Sequence, residues 1–255
     1  LFKDSKKDLY RKFNLNEGKK IITIATSTQD ADIPEESREV MNQRRISEME
    51  ESASYWDIVR SHDLSRKIMI DTLEVVSKVP GTTVILKPHP NESVYFWERT
   101  IQKLSAKNIE LMKGGTIQEL LSISNLHIAN NVCTTTFEAK LKGIPTIEIN
   151  TELSESLYEN EHLEIADYRS YSSLEVDDAV NEVFSSIKPK DQSNEFNHYV
   201  LEKYGLFDGK RCEAYAAEID GFLNERKVSK FTLKERISLS RKAFFPLDKG
   251  EIREG

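Results

Sequence analysis

The chain has 255 residues, with 36 Lys and Arg against 43 Asp and Glu, a formal net charge of −7. At 38% apolar and 31% charged it is polar but foldable, long enough for one large α/β domain or two small ones. Its apolar runs are short, such as Ile21–Ala25, where a membrane-spanning helix needs ~20 residues, so no such helix is expected. Two cysteines, Cys133 and Cys212, make no disulfide framework and fit a cytoplasmic, reducing compartment. The acidic balance argues against nucleic acid as a partner.

The first segment to read as a strand is Lys20–Ser27, a β-branched run preceded by a linker or leading helix over 1–19. Residues 30–53 follow, with eight acids against three arginines, and read as a solvated face that includes an acidic loop at Asp30-Ala31-Asp32. Helical spacing then covers Ser54–Val79, before a second strand at Thr82–Leu86. A helix over Glu92–Lys107, a weaker strand at Ile109–Met112 and a helix over Thr116–Ser124 come next. A fourth strand at Leu126–Ala129, a helix over Thr135–Lys142 and a fifth strand at Thr146–Ile149 complete the alternation. Beyond residue 174 the pattern is helical, over roughly 174–187, 191–203, 209–225 and 231–244. The last stretch, 226–255, carries nine Lys and Arg against four acids and is read as a basic helix and tail. The expected organisation is therefore one domain over 20–225 flanked by 1–19 and 226–255. Strands alternating with helices predict an α/β fold built on a doubly wound parallel sheet, with extra C-terminal helices.

Ligands of such sheets bind outside the carboxyl ends of the strands, so the residues that follow each strand carry the functional reading. Thr26, Ser27 and Thr28 follow the first. Lys87-Pro88-His89-Pro90 follows the second, where two prolines stiffen the exit and aim His89, a side chain able to donate to phosphate or shuttle a proton. The bland reading makes it a rigid turn whose histidine caps a helix. After the fourth strand come Asn130, Asn131 and then Cys133 to Ala139. Thr134 or Thr135 is placed to cap the helix, with Glu138 as its capping-box partner. The same helix N-terminus, with Thr136 in its first turn, is suited to phosphate, and Glu138 to ribose hydroxyls. Gly143, followed by Pro145, reads as a helix C-terminal residue in left-handed conformation. Glu161-His162 is a weaker candidate for catalysis.

The chain lacks a G-x-x-x-x-G-K-[ST] loop, a G-x-G-x-x-G fingerprint, a G-x-S-x-G elbow and H-E-x-x-H. No Cys/His spacing suggests zinc, and nothing around Asp30 and Asp32 completes a calcium loop. Neither a resident metal nor a bound cofactor is expected.

Lys87-Pro88-His89-Pro90, the hydroxyl-rich junction with Phe137-Glu138-Ala139, and Gly143-Ile144-Pro145-Thr146-Ile147 together resemble the nucleotide-binding, Rossmann-like half of GT-B glycosyltransferases. The nearest resemblance is to capsule and surface-polysaccharide transferases of the Kdo and sialic-acid type with an His-Pro motif, and to CDP-glycerol glycerophosphotransferases. It spans roughly residues 10–225 and includes Tyr204-Gly205-Leu206-Phe207-Asp208-Gly209-Lys210. The resemblance implies a nucleotide-sugar donor as substrate and a glycan or lipid-linked acceptor, with no metal at the leaving group. His89 is then the catalytic residue, contacting the donor phosphate and assisting nucleotide departure. Lys87 adds positive potential, Thr134, Thr135 and Thr136 hold phosphate, and Glu138 supports the ribose. Thr26, Ser27, Thr28 and Asn131 lie beside the phosphate. It also implies an N-terminal acceptor domain that supplies the general base and is absent from this chain. The basic tail packs on that domain or approaches the inner face of the membrane. Three alternatives stand beside transfer of a sugar: CDP-polyol phosphotransfer, which needs a second histidine from among His62, His127, His162 and His198; sugar-nucleotide epimerisation; and a non-catalytic nucleotide-binding module.

Overall fold

The chain was described from a computed structural model, which covers residues 5–48, 55–130, 133–157, 165–185 and 193–204, together with 213, 216–217 and 219–220. It divides into two units, at Phe196/Asn197. In the first, α1 (Lys6–Lys12) precedes β1 (Lys20–Ala25), a short 3-10 turn (Gln29–Asp32), α2 (Glu35–Glu48) and α3 (Tyr55–Ser77). Then come β2 (Thr82–Lys87), α4 (Val94–Leu104), β3 (Ile109–Leu111), α5 (Ile117–Leu121) and β4 (Leu126–Asn130). The unit continues through α6 (Thr134–Leu141), β5 (Thr146–Ile149), α7 (Glu152–Leu157), β6 (Tyr168–Ser170) and α8 (Ser173–Phe184). Helix α9 (Ser193–Tyr204) runs across the boundary, and the other described residues of the second unit are helical. The proposed helix over 231–244 and the tail lie outside the described residues, as do Glu161-His162, Cys212 and all of Tyr204–Lys210 except Tyr204.

All six strands are parallel, in the order β3-β2-β1-β4-β5-β6. Period-two alternation sorts their side chains onto two buried faces. Ile22, Ile24, Val84, Leu86, Ile128, Ile147 and Ile149 meet Met69, Leu73 and Val76 of α3, Trp97 of α4 and Val176 and Val180 of α8. On the other face Ile21 and Ile85 meet Leu120 of α5, with Tyr10 and Phe13 packed against them. His127 of β4 reaches Thr135 of α6 on that side. Fully burying side chains of this size contributes about 1.5–3 kcal/mol each, so the alternation leaves one register for every strand.

Helix α6 ends as expected: Gly143 has φ +69°, its N–H donates to Lys140 O (2.9 Å), and Ile144 N–H donates to Ala139 O (3.1 Å). This is a Schellman ending, in which only glycine takes the left-handed position without strain.

Three expectations need correction. A sixth strand, β6, was not anticipated; Tyr168-Arg169-Ser170 has no apolar run and forms because β5 offers it an edge. Asp30 and Asp32 do not sit in a solvated loop: Asp30 lies 3.0 Å from His62, and Asp32 pairs with Arg66 at 2.7 Å. The acidic stretch around them supplies the 3-10 turn and α2.

Candidate functional site

The strand order reverses between β1 and β4, because β2 and β3 lie on one side of β1 while β4, β5 and β6 lie on the other. A crevice at the carboxyl ends is expected there. Ala25 is level with both Lys87 and Ala129, so the three exits leave the sheet together. At about 4.8 Å per strand, those of β2 and β4 are about 10 Å apart.

On the α3–α4 side this edge is closed by a buried ionic network centred on Glu92 (5% exposed). Glu92 accepts from Thr26 Oγ1, Thr28 N, Thr28 Oγ1 (2.8 Å) and Trp97 Nε1 (2.9 Å). Arg66 of α3 donates to Thr28 Oγ1 (2.9 Å), Thr28 O (2.7 Å) and Asp32 Oδ1 (2.7 Å), and its guanidinium lies 4.5 Å from the Phe96 ring. The second oxygen of Asp32 accepts Ser93 N–H (2.7 Å). The hydroxyls of Thr26 and Thr28 are thus turned inward and taken up.

Ser27 stands between them. Its N–H donates to Asn130 Oδ1 (2.9 Å) and its carbonyl accepts from Asn130 Nδ2 (3.3 Å), which ties the β1 exit to the end of β4. Asn131 lies outside the described residues. His89 is half-buried and caps no helix; its Nδ1 accepts Asn91 N–H (3.2 Å), and its carbonyl accepts Glu92 N–H (2.9 Å). With Nδ1 an acceptor, the neutral ring carries its proton on Nε2, which makes no hydrogen bond among the described residues. Lys87 is half-buried and makes no ion pair among them.

The α6 side differs. The N-cap of α6 is Cys133, with no side-chain cap, so neither Thr134 nor Thr135 caps and Glu138 closes no capping box. Each threonine has another place. Thr134 is exposed. Thr135 Oγ1 donates to Cys133 Sγ (3.1 Å) and lies 2.9 Å from His127 Nε2, whose proton it accepts. Thr136 Oγ1 donates to Glu148 of β5, which also accepts Cys133 N–H (3.1 Å). Glu148 is 3% exposed and therefore sets a carboxylate beneath the positive end of α6. The N–H of Thr134 keeps no partner among the described residues, that of Thr135 faces Cys133 Sγ, and Glu138 Oε2 is buried without a partner. Burial pushes the Cys133 thiol up, with Glu148 and Glu138 adding to the shift, so it stays neutral at pH 7. Burial pushes the His127 pKa down to about 3.

Sequence reasoning missed Arg66, Glu92 and Glu148. Two had a signal: Arg66 interrupts the Met69, Leu73, Val76 stripe at helical spacing, and Glu148 interrupts an isoleucine strand. A separate cleft of about 1030 Å³ opens beside the β5 exit, lined by Arg60, Lys67, Thr151, Glu155 and Tyr171 among others. Among the described residues no His, Cys, Asp and Glu cluster is arranged to hold a metal ion, and no helix is long and apolar enough to cross a membrane.

No family model and no curated protein matches the chain. Among solved structures it is similar to a Listeria monocytogenes protein described as a UDP-N-acetylglucosamine 2-epimerase, at 10% identity and TM-score 0.42, over 72% of this chain and 40% of that one. It is also similar to the MAR1 ribonuclease of Caenorhabditis elegans, at 10% identity and TM-score 0.34, over 73% and 92%. The chain thus spans about two fifths of the length of the first. Its own strand order and two-sided helix cover define the class: a doubly wound, Rossmann-like α/β domain whose strand order reverses between β1 and β4.

Proposed function

We propose that this chain is the donor-binding domain of an enzyme that acts on a nucleotide-activated sugar, with transfer of the sugar to a glycan or lipid-linked acceptor as its reaction. The observation that carries the reading is the place of the α6 N-terminus: it stands at the strand-order reversal and presents the N–H of Thr134, which has no partner among the described residues. A helix start in that position is an anion site. Because Glu148 already answers part of the dipole, a diphosphate there also calls on cations, and Lys87 and the Nε2–H of His89 are two strands away.

In this reading the bond between the sugar and the leaving phosphate oxygen breaks as the acceptor oxygen bonds to the sugar carbon. His89 Nε2–H and the α6 N–H groups hold the charge that gathers on the phosphate. The ribose hydroxyls lie against Glu138, and Ser27 and Asn130 line the crevice. Thr26 and Thr28 shape it through Glu92. An acceptor domain of comparable size, as in GT-B enzymes, would supply the base. Polyol-phosphate transfer and sugar-nucleotide epimerisation would use the same donor site and differ in product.

The test is a thermal-shift panel with CMP, CDP, UMP, UDP, GDP and ADP, with and without Mg²⁺. Ligand at 100 times its Kd adds about 2.7 kcal/mol of stability. The expected outcome is a metal-independent shift with one or two nucleotides. Replacing His89 with alanine should weaken the diphosphate about tenfold, ~1.4 kcal/mol, while the nucleoside holds. Equal losses for both would make His89 structural, and no shift with any nucleotide would end the reading.

A further inference from the structure

Asn150 follows β5 at its carboxyl end. It is 0% exposed, and neither Nδ2 nor Oδ1 has a hydrogen-bond partner. A buried amide with both atoms unpartnered is costly and rare in a finished fold. The surroundings place it. Its N–H continues the ladder by donating to Ser170 O (2.9 Å), so the alternation of β5 carries Thr146, Glu148 and Asn150 onto one face. Thr146 meets Asp167, which pairs with Lys140 of α6, and Glu148 meets Thr136 and Cys133 at the other end of that helix. Two strand residues advance about 6.6 Å and four helix residues about 6 Å. The next step, Asn150, therefore lies about one turn ahead of the α6 N-cap, whose Thr134 N–H has no partner among the described residues.

We infer that Asn150 reads the ligand: its side-chain amide pairs with a planar edge that offers a donor and an acceptor side by side. The inference rests on the donor-site reading above and assigns a specificity residue to it. In a nucleotide sugar the nucleobase carries such an edge; an acetamido group does not, because its trans amide turns N–H and C=O to opposite sides. The Asn150 amide pairs with the base edge through one hydrogen bond from Nδ2 and one to Oδ1. Because Asn150 is covered in the unliganded chain, the ligand displaces its cover on entry and satisfies an amide that had no partner.

A side chain that holds the fold and one that waits for a ligand differ in what their removal does. Asn150→Leu keeps the volume and deletes both polar atoms, and Asn150→Ala controls for the cavity. In the full chain, urea unfolding of unliganded Asn150→Leu should show a midpoint equal to or above that of the unsubstituted protein. Calorimetry with UMP, CMP, N-acetylglucosamine 1-phosphate and ribose 5-phosphate then separates the parts. The expected result is a loss of tenfold or more for UMP or CMP, and none for N-acetylglucosamine 1-phosphate or ribose 5-phosphate. A loss confined to UMP or CMP assigns the edge to the base; one confined to N-acetylglucosamine 1-phosphate overturns the inference. The inference is overturned if both variants unfold earlier or fail to fold, if they bind every probe as before, or if all four affinities drop together. If the unsubstituted chain binds none of the probes, the donor-site reading falls and takes this one with it.

Discussion

Two sides of one sheet edge handle buried polarity in opposite ways. Toward α3 and α4, Glu92, Arg66, Thr28, Thr26 and Asp32 answer one another, and Trp97 Nε1–H and Ser93 N–H join the network. Toward α6, Glu138 Oε2 and both side-chain polar atoms of Asn150 are buried with nothing to bond, and the N–H of Thr134 has no partner among the described residues. The edge's polar residues alone do not distinguish the sides; satisfaction does. A saturated cluster holds the β1 and β2 exits in place, whereas unpaired groups point to a ligand.

Breaking the saturated side should cost most. Arg66→Met leaves Asp32 without its cation and Thr28 Oγ1 and O without their donor, and should lower stability by about 3–5 kcal/mol, read as a urea midpoint shift at unchanged slope. A loss under about 1 kcal/mol would show that the network does not hold the edge. Next comes His127, beneath the open side. Its native pKa of about 3 lies below the unfolded 6.5, so the ring stays neutral in the fold. Its contribution is complete above pH 6.5 and is lost progressively as pH falls from there toward 3. By pH 4.5 the loss should be about 2–3 kcal/mol. His127→Gln should flatten that acid limb, and parallel curves for the two proteins would refute the assignment. The smallest stability effect belongs to the open side itself. Glu138→Leu should change unfolding by no more than about 0.5 kcal/mol while nucleotide affinity falls roughly tenfold. A large stability loss there would erase the contrast between the sides.

Much of the framework was legible because hydrophobic spacing is local. Lys20–Ala25, Thr82–Lys87 and Thr146–Ile149 declare themselves as strands buried on both faces, and Gly143 announces the end of α6. The strand β6 was not legible, since a three-residue edge strand of Tyr, Arg and Ser needs a neighbour to exist at all. Nor was the cap of α6. Three consecutive threonines promise a capping box, but Glu148, fifteen residues from Cys133, takes its N–H and the Thr136 hydroxyl instead.

The sequence by itself determined which residues leave the sheet at the carboxyl ends of β1, β2 and β4: Thr26 to Thr28, Lys87 to Pro90, and Asn130 to Thr136. Local periodicity and prolines suffice for that. Only the tertiary structure decided which of them are used up. Thr26 and Thr28 find Glu92 across 66 and 64 residues of chain, and Arg66 finds Thr28 across 38. The side-chain amide of Asn150 and Oε2 of Glu138 find nothing. A hydrogen bond is satisfied by whatever the fold brings within about 3 Å, and local spacing does not specify a partner that distant in the chain.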